Sequence, residues 1–191
     1  IIENFIADED KSVMIIQDTL EESPLLLKVF GIVEESEDSN DIFLSFGDEF
    51  QDTRRFVEAV IENQKLQIEA LNIELEKVER EKIEEIPAEL LKRDKPSNAR
   101  LELLFQHIRK NIEPERRVIW VFHPLQDVEK DTFYADLFEY ISERIFTDEI
   151  TFTKLIVRDT PTKILQERLA KHKQVFVYQP KVSREEIFKK I

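Results

Sequence analysis

Asp18, Asp48 and Glu49 are the residues whose type and spacing best suit chemistry. Each follows a short apolar run, VMIIQ before Asp18 and IFLSFG before Asp48-Glu49. Carboxylates just past the ends of strands can hold Mg²⁺ together with water, the arrangement of a metal-dependent phosphotransferase or hydrolase. The chain carries 41 Asp and Glu among 191 residues, so acids at loop starts also arise from composition alone.

Other chemistries are narrower. The three histidines are His107, His123 and His172, and no two of them have metal-ligand spacing. His123 falls at a strand end before Pro124, where a pairing with Ser45 or Thr160 would be the route to a nucleophile. Cysteine is absent, which excludes disulfides, thiolate metal sites and cysteine nucleophiles. Only Gly31 and Gly47 are present, so no loop has the run of glycines that lets backbone N–H groups cradle a phosphate. No catalytic residue, cofactor or bound metal is therefore assigned from the residues themselves.

Any site depends on the elements that bring these side chains together. Five apolar runs read as strands: Val13–Ile16, Ile42–Phe46, Val118–Phe122, Thr153–Val157 and Gln174–Tyr178. The third is entered from Arg116-Arg117, is apolar throughout and leaves through His123-Pro124, the pattern of a strand buried on both faces. Residues 1–10 read as a connection. Helices are predicted over Leu25–Val33 after Ser23-Pro24, over Thr53–Ile83 with Asp52 or Thr53 as cap, and up to Asn111 from a cap at Ser97 or Asn98. A further helix opens at Asp131-Thr132 with Phe133, Leu137, Tyr140, Ile141 and Ile145 facing inward. Thr162–His172 and a segment from Ser183 complete the set.

Strand–loop–helix units in this order predict an α/β fold: three layers, with a five-stranded, mainly parallel sheet and helices on both faces. It forms a single domain over residues 1–191. A helical arm, residues 53–96, is inserted between the second and third strands as one long, partly protruding helix or a helical hairpin. In such sheets ligands bind outside the carboxyl ends of the strands. The expected crevice is then Asp18, Thr19, His123, Arg158 and Asp159, with Asp48, Glu49 and Gln179 at the remaining ends.

The order of elements resembles a P-loop NTPase core of the RecA or STAND-regulatory kind. The resemblance makes the first strand and its helix the Walker A unit, Val118–Phe122 the Walker B strand, KLIVRDTP the sensor strand and Gln174–Tyr178 the last strand. Where that family carries G-x-x-x-x-G-K-[ST], this chain has DTLEESPLLLK, with Glu21 and Glu22 where a triphosphate would be repelled. Where Walker B carries a metal-directed Asp, this chain has His123. The resemblance therefore implies a degenerate member that has lost nucleotide hydrolysis and works as a regulatory, protein-binding module.

Charge and ends refine that expectation. Residues 1–90 carry 8 Lys and Arg against 25 Asp and Glu, whereas residues 154–191 carry 10 against 4. The acidic front half disfavours nucleic acid as a partner. No apolar run approaches the roughly 20 residues of a membrane span and no signal peptide opens the chain, so a soluble, cytoplasmic setting is expected. The chain starts at Ile1 and stops in a helix-like SREEIFKKI, so both ends read as cut from a longer protein. Along the arm, Ile61, Ile68 and Leu75 recur every seven residues, with Leu71 and Val78 interleaved and Gln64 interrupting the seam. A seam of that period suits a protein partner, another domain of the same polypeptide or a second copy of the chain.

Overall fold

The computed structural model describes residues 1–17, 41–78, 82–92, 94–124, 128 and 132–180. The helix expected at Leu25–Val33 and the segment from Ser183 lie outside the described residues. Five strands form one sheet, β1 (Val13–Ile16), β2 (Ile42–Phe46), β3 (Val118–Phe122), β4 (Thr153–Arg158) and β5 (Val175–Tyr178), in the order β2-β3-β4-β1-β5. Every pairing is parallel. The middle place belongs to β4, with β3 beside it. The apolar runs that identify the strands follow from burial on both faces: all of β1, β3 and β4 is buried.

The helices are α1 (Ile2–Ala7), α2 (Thr53–Lys77), α3 (Ala88–Leu91), α4 (Ser97–Lys110), α5 (Thr132–Phe146) and α6 (Ile164–Leu169). From β2 to β3, β3 to β4 and β4 to β5 the chain steps in one direction across the sheet. Right-handed crossovers then place the intervening helices on one face. That face carries the main core, where α2, α4, α5 and α6 pack on Val13, Leu44, Trp120, Leu155 and their neighbours. Phe105 of α4 lies flat on Trp120, ring centres 4.0 Å apart and 4° from parallel. The opposite face holds a second cluster, in which Ile2, Phe5 and Ile6 of α1 pack with Met14, Ile16, Ile119 and Ile156.

Three features depart from the sequence reading. Residues 1–10 hold a helix, with apolar residues at the i, i+3, i+4 spacing that lays one side on the sheet. The long helix ends at Lys77 rather than Ile83. Its start is as expected, with the Asp52 carboxylate accepting the Arg55 N–H at 2.9 Å. Beyond its end the chain is drawn back, because the Asn72 amide bonds both the N–H and the carbonyl of Ile83, each at 2.8 Å. Leu75, Ile83 and Leu90 are buried there. On α5 the inward face runs through Tyr134, Ala135, Leu137, Phe138, Ile141 and Ile145, and Phe133 is 66% exposed.

Among the described residues the sheet has two edges, β2 and β5. At β2 the outward-facing peptide of Ser45 is closed by a side chain: Gln67 Oε1 accepts its N–H at 3.2 Å and Gln67 Nε2 donates to its carbonyl at 2.5 Å. A side-chain amide thus occupies the position that a further strand would take.

Candidate functional site

His123 follows β3, and Arg158 and Asp159 lie at the end of β4, beside it in the sheet. Asp18 and Thr19 lie outside the described residues. His123, Arg158 and Asp159 are all buried, and the hydrogen bonds around them hold the fold. The Asp159 carboxylate accepts from the backbone N–H groups of Thr160 (2.8 Å), Leu165 (2.9 Å) and Gln166 (3.0 Å). It closes the start of α6 from outside that helix, whose cap residue Lys163 has no capping side chain and sits in the left-handed region at φ 59°. Gln17, just past β1, adds an amide contact at 3.5 Å. A carboxylate holding three N–H donors has few lone-pair sites left for a metal.

Arg158 is used in a similar way. Its Nη1 donates to the Pro124 carbonyl at 3.1 Å, tying the exit of β3 to the end of β4, and its own carbonyl accepts the Tyr134 hydroxyl at 2.7 Å. The His123 N–H donates to the Phe46 carbonyl at 2.9 Å, continuing the β2–β3 ladder past the strand end. The Thr160 hydroxyl lies 3.0 Å from that of Thr162 and accepts the Ile164 N–H at 3.3 Å. Ser45 belongs to the β2 edge closed by Gln67.

Asp48 and Glu49 are exposed at the end of β2. Glu49 accepts from Gln51 Nε2 at 3.3 Å. The strand order bears on pairing either residue with an acid after β1. Between β1 and β2 stand β4 and β3, so the two strands are three spacings, about 14 Å, apart. Metal–oxygen bonds are about 2.0–2.6 Å long. Among the described residues no three of His, Asp and Glu are grouped to hold a metal ion.

The seam residues of the long helix divide between core and surface. Ile61, Ile68 and Leu75 are buried in the domain's own core, Leu71 is half-buried, and Val78 is exposed. Gln64 is fully buried among them, and among the described residues its Oε1 meets no donor. The large apolar residues facing outward from α2 are Leu66 and Ile73, each more than half exposed.

The sequence reading did not anticipate the other end of the sheet. A cavity of about 1020 Å³ opens at the amino ends of the strands, bordered by Glu9, Asp41, Arg117, Asp148, Phe152 and Lys154. Two of these, Asp148 and Phe152, have left-handed backbones at φ 59° and 47°. For an aromatic residue such as Phe152 this is a strained conformation. The cations of the wall are engaged. Arg117 grips Asp41 through two bonds, 3.0 and 3.1 Å, and donates to the Ile6 carbonyl. Lys154, only 5% exposed, donates to the carbonyls of Phe5 (2.8 Å), Asp8 (2.6 Å) and Lys11 (2.6 Å). Burial, with a smaller push from the neighbouring Arg117 charge, lowers its pKa to about 8. At pH 7 it is therefore an ammonium with all three N–H bonds used.

No described helix is long and apolar enough to cross a membrane. Compared with known proteins, the chain matches no family model, no curated protein and no solved structure.

Proposed function

We propose that this chain is a non-catalytic protein-interaction and regulatory module, built on a scaffold like that of a P-loop NTPase but without its nucleotide chemistry. One observation carries the reading: the described acid at the carboxyl edge of the inner strands, Asp159, is spent on three backbone N–H groups. The sequence after β1 adds to it, with no glycine and with Glu21 and Glu22 where a phosphate loop would lie. The all-parallel sheet is in keeping with the resemblance, with β4, its sensor strand, between β1 and β3. The partner is a protein or another domain of the same polypeptide.

Thermal unfolding with and without ATP or GTP and Mg²⁺ tests the loss of nucleotide binding. A ligand present at 100 times its Kd adds about 2.7 kcal/mol. Each kcal/mol raises the Tm of a domain of this size by about 2–4 °C. At 1 mM nucleotide the expected shift is nil, and a dose-dependent rise of several degrees overturns the reading.

A second reading, self-association through the long helix, draws on Leu66 and Ile73, seven residues apart on the side of α2 away from the core. It requires a sedimentation-equilibrium mass that rises with concentration and falls to the monomer value in Leu66→Glu. A monomer at every concentration removes it.

A further inference from the structure

We propose that α1 is a latch that opens as a unit from the second face of the sheet while the strands stay paired, and that the hydrogen bonds Lys154 donates to the carbonyls around it hold it shut. Helices of six residues do not persist alone in water, so the closed form of α1 depends on what it touches. Those contacts are made with side chains of the strands and their entries and not with the backbone bonds of the ladder. Ile2, Phe5 and Ile6 lie on the sheet, and Phe5 faces the ring of Phe176 at 6.5 Å. The remaining hold is polar and comes from two side chains at the entries of β3 and β4. Arg117 donates to the carbonyl of Ile6, and Lys154 to those of Phe5, Asp8 and Lys11, with its Nζ 4.8 Å from the centre of the Phe5 ring. Cations at the carboxyl end of a helix meet the partial negative charge of its unpaired carbonyls.

The joint beyond α1 suits a hinge. Asp8, Glu9 and Asp10 are exposed. They are shaped by one local turn, in which Asp8 accepts the N–H of Asp10 through its carboxylate (2.9 Å) and that of Lys11 through its carbonyl (3.2 Å). The sheet does not rely on α1 for pairing, because β1 is bonded on both sides, to β4 and to β5. When α1 leaves, the Lys154 ammonium recovers water in place of its three carbonyls, and the apolar cluster of Met14, Ile16, Ile119 and Ile156 loses its described helical cover. What the open form is used for rests on the interaction-module reading; the opening itself does not.

Hydrogen exchange followed by NMR on the full chain tests the latch. In the unmodified protein the amides of Phe5 and Asp8, bonded to Ile1 and Asn4, are expected to exchange at least 100-fold faster than those of Val13–Ile16 and Leu155–Val157. Lys154→Met should speed the first group a further tenfold or more and leave the second within threefold. Equal protection of α1 and β1 in the unmodified protein overturns the proposal, as does an equal loss in both groups of the variant. Should Lys154→Met not fold, Phe5→Ala decides: a selective loss in α1 supports the latch and a shared loss refutes it. Binding of a partner by a protein whose α1 never opens would sink the use made of the latch, and not the interaction module.

Discussion

Replacing Gln64 by methionine should make this protein more stable. Gln64 lies in the middle of α2, is fully buried and faces the main core between Ile61 and Ile68. Among the described residues its Oε1 finds no donor, and its Nε2 reaches only Asn63 Oδ1 at 3.4 Å, the long end of hydrogen bonding. A buried acceptor left without a partner costs about 1–3 kcal/mol. Methionine has nearly the same length and volume, and a volume-conserving exchange of this kind costs less than about 1.5 kcal/mol in repacking. The expected gain is about 1–2 kcal/mol, or roughly 2–8 °C in Tm for a domain of this size. Urea unfolding is the cleaner assay, because a change in midpoint at constant slope isolates stability. Gln64→Glu gives the opposite control, since it puts an unpaired charge in the same place. An unchanged or lower midpoint for Gln64→Met at the same slope would refute the reasoning and show that the amide is satisfied in solution.

Three further outcomes are expected. Asp159→Ala removes the acceptor of three N–H groups and should lower stability by about 1–3 kcal/mol in urea unfolding, with Asp159→Asn intermediate; an unchanged midpoint shows that α6 does not need its cap. Gln67→Leu uncovers the Ser45 peptide on the β2 edge, so light scattering should report more concentration-dependent association than in the unmodified protein. Lys154 has a folded pKa near 8 against 10.5 unfolded, so the unfolded chain binds more protons between those values and stability rises with pH across that window. The gain, up to about 3 kcal/mol, appears in the difference between the unmodified protein and Lys154→Met measured at pH 7.5 and pH 10; no difference in slope refutes the assignment.

The parts of the fold that were legible in the sequence are those where burial alone selects residue type. VIWVF, VMII and TKLIVR are buried along their whole length, and short, β-branched runs between turn residues made them and the partly exposed β2 and β5 readable as strands. Adjacent aromatics are harder. Phe133 and Tyr134 sit about 100° apart on a helix, and either phase gives α5 an apolar face, so the choice falls to the neighbouring elements. α1 was hidden because IIENFIA is short, lacks a capping side chain and gains its stability from Lys154 and Arg117, more than 100 residues away. The crevice shows the same limit. The positions of His123, Arg158 and Asp159 at one edge followed from strand ends. That the Asp159 carboxylate is already spent could not be read, because its donors are peptide groups, which every residue but proline supplies whatever its side chain.

The place of β1 has a consequence for how the protein is made. Its two partners are β4 and β5, so Val13–Ile16 pair with segments that begin at Thr153 and end at Tyr178. Synthesis at about 5–20 residues per second leaves the VMII strand without its neighbours for roughly 7–30 seconds after it emerges. During that interval β2, β3 and the helices between them can assemble, but the sheet stays open at the side where β1 belongs. A ribosome stalled before β4 therefore presents a β-branched, uncharged strand with both edges unpaired, the kind of segment that chaperones bind and that aggregates if they do not. The segment from Thr153 to Tyr178 decides whether Val13–Ile16 is core or liability.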